Sequence, residues 1–536
     1  MTFDVHNFRQ HFAFFDDEPS GQIAYLDNAA TTQIAKPVLS AINDYYSNQH
    51  ANIHRSSHKL ARQTTDMVEQ TRALTAQFIN AASHEIVFTS GTTAGINQVA
   101  YGLSHYINAK DTIAFTNLEH HANILPWQRI AAQQNAQLFC ADLLGNLNNL
   151  ENFVESLPET TKFLAITAAS NVTGHRIDIA RLSTLTKRRG ILLLVDAAQH
   201  FGHQPIDVEE WNCDFLVASM HKAYGPTGTG VLYVKSSAVK PLEPLILGGG
   251  IVEKVSELSA KFVEAPHRFE AGTPNLAGIA GVHAMLNFIR QNPEATGHKQ
   301  QLQRLLHSEL LQISDLNIVS DKHNHCGIVS FFPTSRSGLS ASDCADWLDK
   351  SRIASRSGHH CAQLLHHHLG IPHSVRLSIA PYNTAEEINL AVNAVKDFFI
   401  SNTTKSIAKE NEKPLWKRVE LASNWQQQYR LIIQAGKQEN SASIRCEDNA
   451  VSGCEANVWL LHRCEDKQHF FEIDSDSAVI KGLGVLLLEQ VNGKDKNAID
   501  IKSLKQWLTT AQLDKHLSSS RNNGIAIILK HIERAL

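Results

Sequence analysis

Short apolar runs alternate with amphipathic stretches between about residues 85 and 235. Glu85-Ile86-Val87-Phe88-Thr89, Thr112-Ile113-Ala114-Phe115 and Phe163-Leu164-Ala165-Ile166-Thr167 are three of them. Leu192-Leu193-Leu194-Val195, Phe215-Leu216-Val217-Ala218 and Val231-Leu232-Tyr233-Val234 are three more. Each has the length and unbroken apolar character of a strand buried on both faces. After Gly91-Thr92-Thr93, Ile96, Val99 and Leu103 recur at helical spacing. Ile177, Leu182 and Leu185 mark another helix, which stops at Gly190. Buried strands alternating with helices predict an α/β fold with a mostly parallel sheet covered on both faces. Ligands of such sheets sit beyond the carboxyl ends of the strands. Thr92, Ser170, Asp196 and Lys222 all fall at or just past such ends, so one cleft can hold them.

The pattern changes twice further along. Residues 281–400 read as a smaller α+β unit, with helical periodicity over roughly 281–313 and 384–400. Residues 401–414 are polar, nearly free of apolar side chains, and end in Pro414, as a linker does. Residues 415–536 are enough for one further small domain. Such a linker reaches at most about 45 Å when stretched. No internal repeat is visible.

Composition narrows the classes. A net charge of −4 with 43% hydrophobic residues is ordinary for a soluble globular chain of 536 residues. It gives no reason to expect nucleic acid as a partner. No apolar run approaches a membrane span, and the N-terminus lacks the pattern of a signal peptide. Eight scattered cysteines include no Cys-x-x-Cys pair, which points to free thiols in a reducing cytoplasm. His366-His367-His368 with His373 lacks an acid or cysteine at ligand spacing, so no metal is expected.

The chemistry concentrates at strand ends. Lys222 stands between His221 and a glycine-rich turn, directly after the 215–218 run. A lysine alone is usually a solvated surface charge. Here it is a candidate Schiff-base amine for an aldehyde cofactor. Asp196 closes the 192–195 run and suits a partner for the protonated pyridine nitrogen of pyridoxal 5'-phosphate (PLP). Thr92 and Thr93 offer hydroxyls and backbone N–H groups to a phosphate at a helix N-terminus, although helix capping is their commoner use. Ser219 and His221 suit further phosphate contacts, and His120 suits stacking on the ring and moving protons. Gln199 suits the phenolic oxygen of PLP; Asn171 suits that oxygen or the substrate carboxylate.

Seven motifs occur in order: 25–32 (Tyr-Leu-Asp-Asn-Ala-Ala-Thr-Thr), His54-Arg55, 119–123 (Glu-His-His-Ala-Asn), 170–174 (Ser-Asn-Val-Thr-Gly), 196–199 (Asp-Ala-Ala-Gln), the His221-Lys222 stretch and 269–275 (Phe-Glu-Ala-Gly-Thr-Pro-Asn). Together they resemble the group II cysteine desulfurases (SufS/CsdA type), class V enzymes of PLP fold type I. The resemblance spans residues 1–400. It implies a large domain over about 22–280 and a small one from the N-terminal arm plus 281–400. It also implies a homodimer in which Thr273 reaches the phosphate of the neighbouring subunit's cofactor.

Two thiols complete the sequence picture. Cys361, in Arg356-Ser357-Gly358-His359-His360-Cys361-Ala362-Gln363, has basic neighbours that favour a mobile thiolate. Its motif resembles the loop carrying the desulfurase nucleophile. Arg376 matches the family arginine that clamps the substrate α-carboxylate, a task suited to a bidentate guanidinium. His54, Asn171 and Arg356 join it as expected L-cysteine contacts. Residues 415–536 resemble the SufE/CsdE sulfur-acceptor family, in which Cys454 of Gly453-Cys454 takes the acceptor position. The resemblance implies conversion of L-cysteine to L-alanine, a persulfide on Cys361, transfer to Cys454, and an iron–sulfur scaffold protein downstream. A selenocysteine lyase or cysteine-sulfinate desulfinase shares nearly every one of these residues. A plain aminotransferase or lyase has no use for Cys361, and a non-catalytic sulfur carrier has no use for Lys222.

Overall fold

The computed structural model describes residues 3–16, 23–53, 58–320, 326–334, 339–403, 414–422, 425–438, 442–453 and 456–536. Two compact units emerge. The first comprises Met1–Glu309, Ile318–Ser330 and Arg352–Asn389; the second comprises Leu310–Asn317, Phe331–Ser351 and Leu390–Leu536.

A seven-stranded sheet organises the first unit. Its strands are β1 (Ile86–Thr89), β2 (Thr112–Thr116), β3 (Gln137–Ala141), β4 (Thr161–Thr167), β5 (Leu192–Asp196), β6 (Phe215–Ser219) and β7 (Gly230–Val234). They lie in the order β1-β7-β6-β5-β4-β2-β3. Strand β7 runs antiparallel to both neighbours, and every other pairing is parallel. The unbroken apolar runs are explained by the two faces. Leu164, Ile166, Leu193, Val195, Leu216 and Ala218 pack into one core. The alternating Phe163, Ala165, Leu194, Phe215 and Val217 pack into the other. With side chains alternating across a strand, both sets must be apolar when both faces are covered.

Helix α1 (Thr92–Gly102) follows β1 and lies on this sheet. Two glycines permit its approach. A Cβ on Gly230 would come within 2.4 Å of the Gly91 Cα, and one on Gly95 within 2.7 Å of Val217 Cγ1. Gly91 itself has φ of 148°, a conformation L side chains rarely adopt. The periodicity over 281–313 is two helices, Leu276–Gln291 and Ala295–Leu310, separated at Asn292-Pro293. Proline removes a helical N–H donor and sets the break.

The second unit has its own core. Strands Val458–Glu465 and Gln468–Ser475 form a hairpin whose two linking residues, Asp466 and Lys467, both have positive φ. That is the backbone a two-residue turn matched to strand twist demands. Helices Trp425–Gln438 and Ala478–Leu488 touch so closely that a Cβ on Gly482 would lie 1.9 Å from the Ile432 carbonyl oxygen. Arg521, only 5% exposed, pairs with Asp343 at 3.0 Å and with Asp346. The buried Tyr429 hydroxyl donates to the Asp343 carbonyl at 3.1 Å. Helix Ala341–Lys350 is thereby joined to residues from the C-terminal 120 within one unit. Among the described residues, no helix is long and apolar enough to cross a membrane.

Candidate active site

A cavity of about 240 Å³ opens at the carboxyl ends of the parallel strands of the first unit. Its polar wall includes Asp196 from the end of β5, Ser219 from the end of β6, and Lys222 from the turn after β6. Thr92 and Thr93 join from the start of α1, and His120 from the loop after β2. Asn171, Gln199, His221, Arg356, Cys361 and Arg376 complete the set named from sequence. Twelve candidates thus share one cavity although they come from widely separated parts of the chain. Thr273 stands exposed on its loop and does not line the cavity of its own chain. His54 and Cys454 lie outside the described residues.

Lys222 and Asp196 form the charged floor. Burial pushes the Lys222 amine below its usual value, opposed by the negative field of Asp196. Burial raises the Asp196 carboxyl, opposed by a hydrogen bond from the Ala198 N–H at 2.9 Å and by Lys222. Each group is the other's main charged support in a low-dielectric place. The lysine's backbone is also held: the His203 ring donates to the Lys222 carbonyl at 2.7 Å. Thr31 and Thr32 hydroxyls each donate to the neighbouring His221 carbonyl at 3.1 Å.

The α1 end of the cavity is tightly tied. Ser219 Oγ accepts from the Thr92 N–H and donates to Thr92 Oγ1, both at 2.8 Å. His120 Nδ1 accepts from the Ala122 N–H at 3.1 Å, so the neutral ring carries its proton on Nε2. Burial, followed by the positive field of Lys222, lowers its pKa to about 4. Beneath it Glu119 is fully buried and accepts from Thr116, Asn123 and the Thr167 N–H. Burial still raises that carboxyl to about 8.

Arg376 crosses the opposite wall. Nη2 donates to Asp27 at 3.0 Å and Nη1 to the Asn171 carbonyl at 3.1 Å. Nε is buried without a partner among the described residues, as is Asn171 Oδ1. A planar guanidinium fixed on one side by a carboxylate has its orientation set before any substrate arrives.

Cys361 sits on a different kind of support. His360 and Cys361 have φ of 51° and 56°, two consecutive non-glycine residues in the left-handed region. Such backbone costs about 1–2 kcal/mol per residue and persists where surrounding contacts enforce it. The Ala362 N–H closes the turn onto the His359 carbonyl at 2.8 Å. The His121 N–H donates to the Cys361 carbonyl at 2.8 Å. The side chain of Cys361 is exposed at the cavity, whereas Cys213, Cys326 and Cys344 are buried.

Sequence reasoning missed four contributors. Asp27, Glu119 and His360 stand inside motifs already singled out but had no role assigned. Their partners lie far off in sequence or depend on burial. His203 carries no local signal at all. Among the described residues, no group of three or more His, Cys, Asp or Glu is arranged to hold a metal.

The model for the aminotransferase class-V family matches residues 24–390, and that for the Fe-S metabolism associated domain matches residues 413–536. A cysteine desulfurase of Escherichia coli O6:K15:H31 is 39% identical over 409 residues, covering 74% of this chain and 98% of that protein. The apo cysteine desulfurase of Thermococcus onnurineus NA1 superposes with a TM-score of 0.70 at 34% identity, over 75% of this chain and 99% of that one. The cysteine desulfurase CsdA of Escherichia coli, in an S-sulfonic acid form, gives 0.68 at 34% identity with the same coverage.

Proposed function

This chain belongs to the class-V aminotransferase family, and we propose that it is a PLP-dependent cysteine desulfurase carrying its own sulfur acceptor. The observation that carries this reading is one cavity lined by Lys222, the buried Asp196, a fixed arginine and an exposed cysteine. An aminotransferase has work for the first three and none for the thiol.

The residues present suit PLP. Lys222 is the amine for its aldehyde, Asp196 the acid for its ring nitrogen, and His120 a ring to lie against. Thr92, Thr93, Ser219 and His221 offer hydroxyl, imidazole and helix-terminal N–H groups for its phosphate. Gln199 and Asn171 supply side-chain amides, and Asn171 Oδ1 is a buried atom that lacks a partner. When bound, the cofactor supplies a sink for the electrons left when a proton departs from the substrate α-carbon.

The chain's own groups do the rest. Arg376, braced by Asp27, binds the substrate carboxylate, and Asn171, Arg356 and His54 are the further substrate contacts of this reading. The Lys222 amine, with its pKa lowered, takes the α-proton. Lys222 returns the proton it took, and His120, neutral with Nε2–H, assists as a hydrogen-bond donor. The Cys361 thiolate attacks the sulfur of L-cysteine. The Cβ–S bond breaks, carbon gains a proton, L-alanine leaves, and Cys361 keeps the sulfur as a persulfide. Cys454 thiolate then attacks the outer sulfur and Cys361 leaves as thiolate, so no external oxidant enters. The product suits iron–sulfur cluster assembly on a downstream scaffold protein. The enzyme works as a homodimer, with Thr273 serving the neighbouring subunit's cofactor, in a reducing cytoplasm.

Incubation with L-cysteine, quantified alanine and mass mapping of persulfides test this reading. Alanine should form, with one extra sulfur on Cys361 and on Cys454. In Cys454→Ser the sulfur should stop at Cys361. Alanine formation that survives Cys361→Ser unchanged overturns it.

A further inference from the structure

A buried hydrogen-bonded chain runs behind the Cys361 turn. His360, Ser374 and His366 are each less than 6% exposed. They come from three segments: the left-handed turn, the strand Ser374–Ser378 and the helix Gln363–Leu369. His366 Nδ1 lies 3.0 Å from the Ala362 carbonyl oxygen. A carbonyl only accepts, so Nδ1 carries the proton and the neutral ring's Nε2 accepts. Its partner is Ser374 Oγ at 3.0 Å, which therefore donates. The same oxygen, and the Ser374 carbonyl, each lie 3.1 Å from His360 Nε2, which must donate to the carbonyl. The single His360 Nε2–H is shared between that carbonyl and Ser374 Oγ, which has given its own hydrogen to His366.

The ends of the chain matter. One end is Ala362, the residue after Cys361 and the first cap of its helix. The other is His360, the residue before Cys361, which also lines the active-site cavity. The two residues flanking the thiol are thus linked through Ser374. Strand pairing places Ser374 opposite Gly358, so the anchor is itself fixed to the sheet. Opposite, the His121 N–H holds the Cys361 carbonyl and the His121 ring accepts from the Gln363 N–H at 3.3 Å.

We propose that His366 and Ser374 are positioning residues: His366 orients the Ser374 hydroxyl, which shares the His360 Nε2–H with the Ser374 carbonyl, and this holds the otherwise unfavourable left-handed turn that presents the Cys361 thiol to the substrate sulfur. The proposal rests on the desulfurase reading for its catalytic consequence. The geometry makes a sharp distinction between substitutions. Gln at 366 can extend its amide oxygen to Ser374 Oγ. Asn at 366 reaches only the local Ala362 carbonyl. Leu makes neither bond.

The test uses the full chain loaded with PLP and variants His366→Gln, His366→Asn, His366→Leu and Ser374→Ala. Three quantities are read: the cofactor spectrum with its change on adding L-cysteine, single-turnover persulfide formation, and alkylation of Cys361 by iodoacetamide. Persulfide formation should fall about tenfold in the Leu, Asn and Ala variants, the expected cost of one buried hydrogen bond. Gln should stay within about twofold of the parent. The spectral response and its half-saturating L-cysteine concentration should not move, and alkylation rates should shift in the same three variants. Equal persulfide and alkylation rates in all four variants and the parent overturn the proposal. So does a parallel loss of the spectral response in the variants, which marks a merely structural role. Should the parent itself form no persulfide, the desulfurase reading fails, while the alkylation series still decides whether the chain holds the turn.

Discussion

The floor of the cavity and the turn that carries its thiol solve opposite problems. Lys222 and Asp196 emerge from the ends of β6 and β5, inside a sheet covered on both faces. Their backbones are held by strand pairing and by His203, and burial moves both titrations. Cys361 instead stands exposed on a left-handed turn supported from either side. Proton chemistry gains from a fixed, low-dielectric place, where charge interactions are strong. A thiol proposed to take sulfur from a substrate and pass it to a second thiol needs an accessible place. On the proposed roles, one cavity divides its labour by support, rigid strand ends for carbon chemistry and a braced turn for sulfur.

The division can be broken by substitution. Lys222→Ala should show the largest effect, lowering alanine formation by about a thousandfold and removing the absorbance of lysine-linked cofactor. A variant retaining a tenth of the activity would mean that the floor is not where the α-proton moves. Cys361→Ser should stop persulfide formation while leaving the cofactor spectrum and the L-cysteine response intact. If the spectrum is lost as well, floor and turn are not separable and the comparison fails. Asp27→Asn probes the wall between them. With the carboxylate gone, Arg376 loses its charged brace, and KM for L-cysteine should rise about tenfold while kcat changes little. A kcat loss with unchanged KM would place Arg376 in the chemical step rather than in binding.

The same contrast explains what could be read from sequence. The floor was legible because a strand buried on both faces is an unbroken apolar run, and its end is visible as the first polar residue. Asp196, Ser219 and Lys222 follow from that reading. Strand β3 did not, because Gln137-Leu138-Phe139-Cys140-Ala141 is an edge strand with most side chains at the surface. Without burial on both faces, nothing in its pattern separates it from the preceding helix end. The thiol was marked by its basic neighbours and by its resemblance to a family motif, but the turn that carries it was not. Nothing local specifies positive φ at His360 and Cys361, since neither is glycine or asparagine. The enforcing groups, Ser374, His366 and His121, are brought in by tertiary structure. His203 and Asp27 escaped for the same reason: each acts on a residue distant in sequence. The aromatic and histidine content gave no hint of which rings are buried.

Buried neutral imidazoles also leave a trace in stability, the smallest of the expected effects. His120 titrates near 4 in the folded chain because burial and the field of Lys222 disfavour the imidazolium. Its ordinary value is about 6.5. Above pH 6.5 the ring is neutral in both folded and unfolded chains, so it contributes no pH dependence. Between pH 6.5 and 4 the unfolded chain binds the proton and the folded chain does not, so stability falls as pH falls. His200, lowered to about 4 by burial, acts with the same sign, as do His203 and His360. The acid limb of a Tm-against-pH curve should therefore steepen below pH 6.5. His120→Gln should recover about 2 kcal/mol of the loss between pH 6.5 and 4, discounted for the ring's partial exposure at the cavity. An identical acid limb in parent and His120→Gln would mean that His120 is protonated in the folded protein at pH 5, and that the cavity floor is more hydrated than its burial indicates.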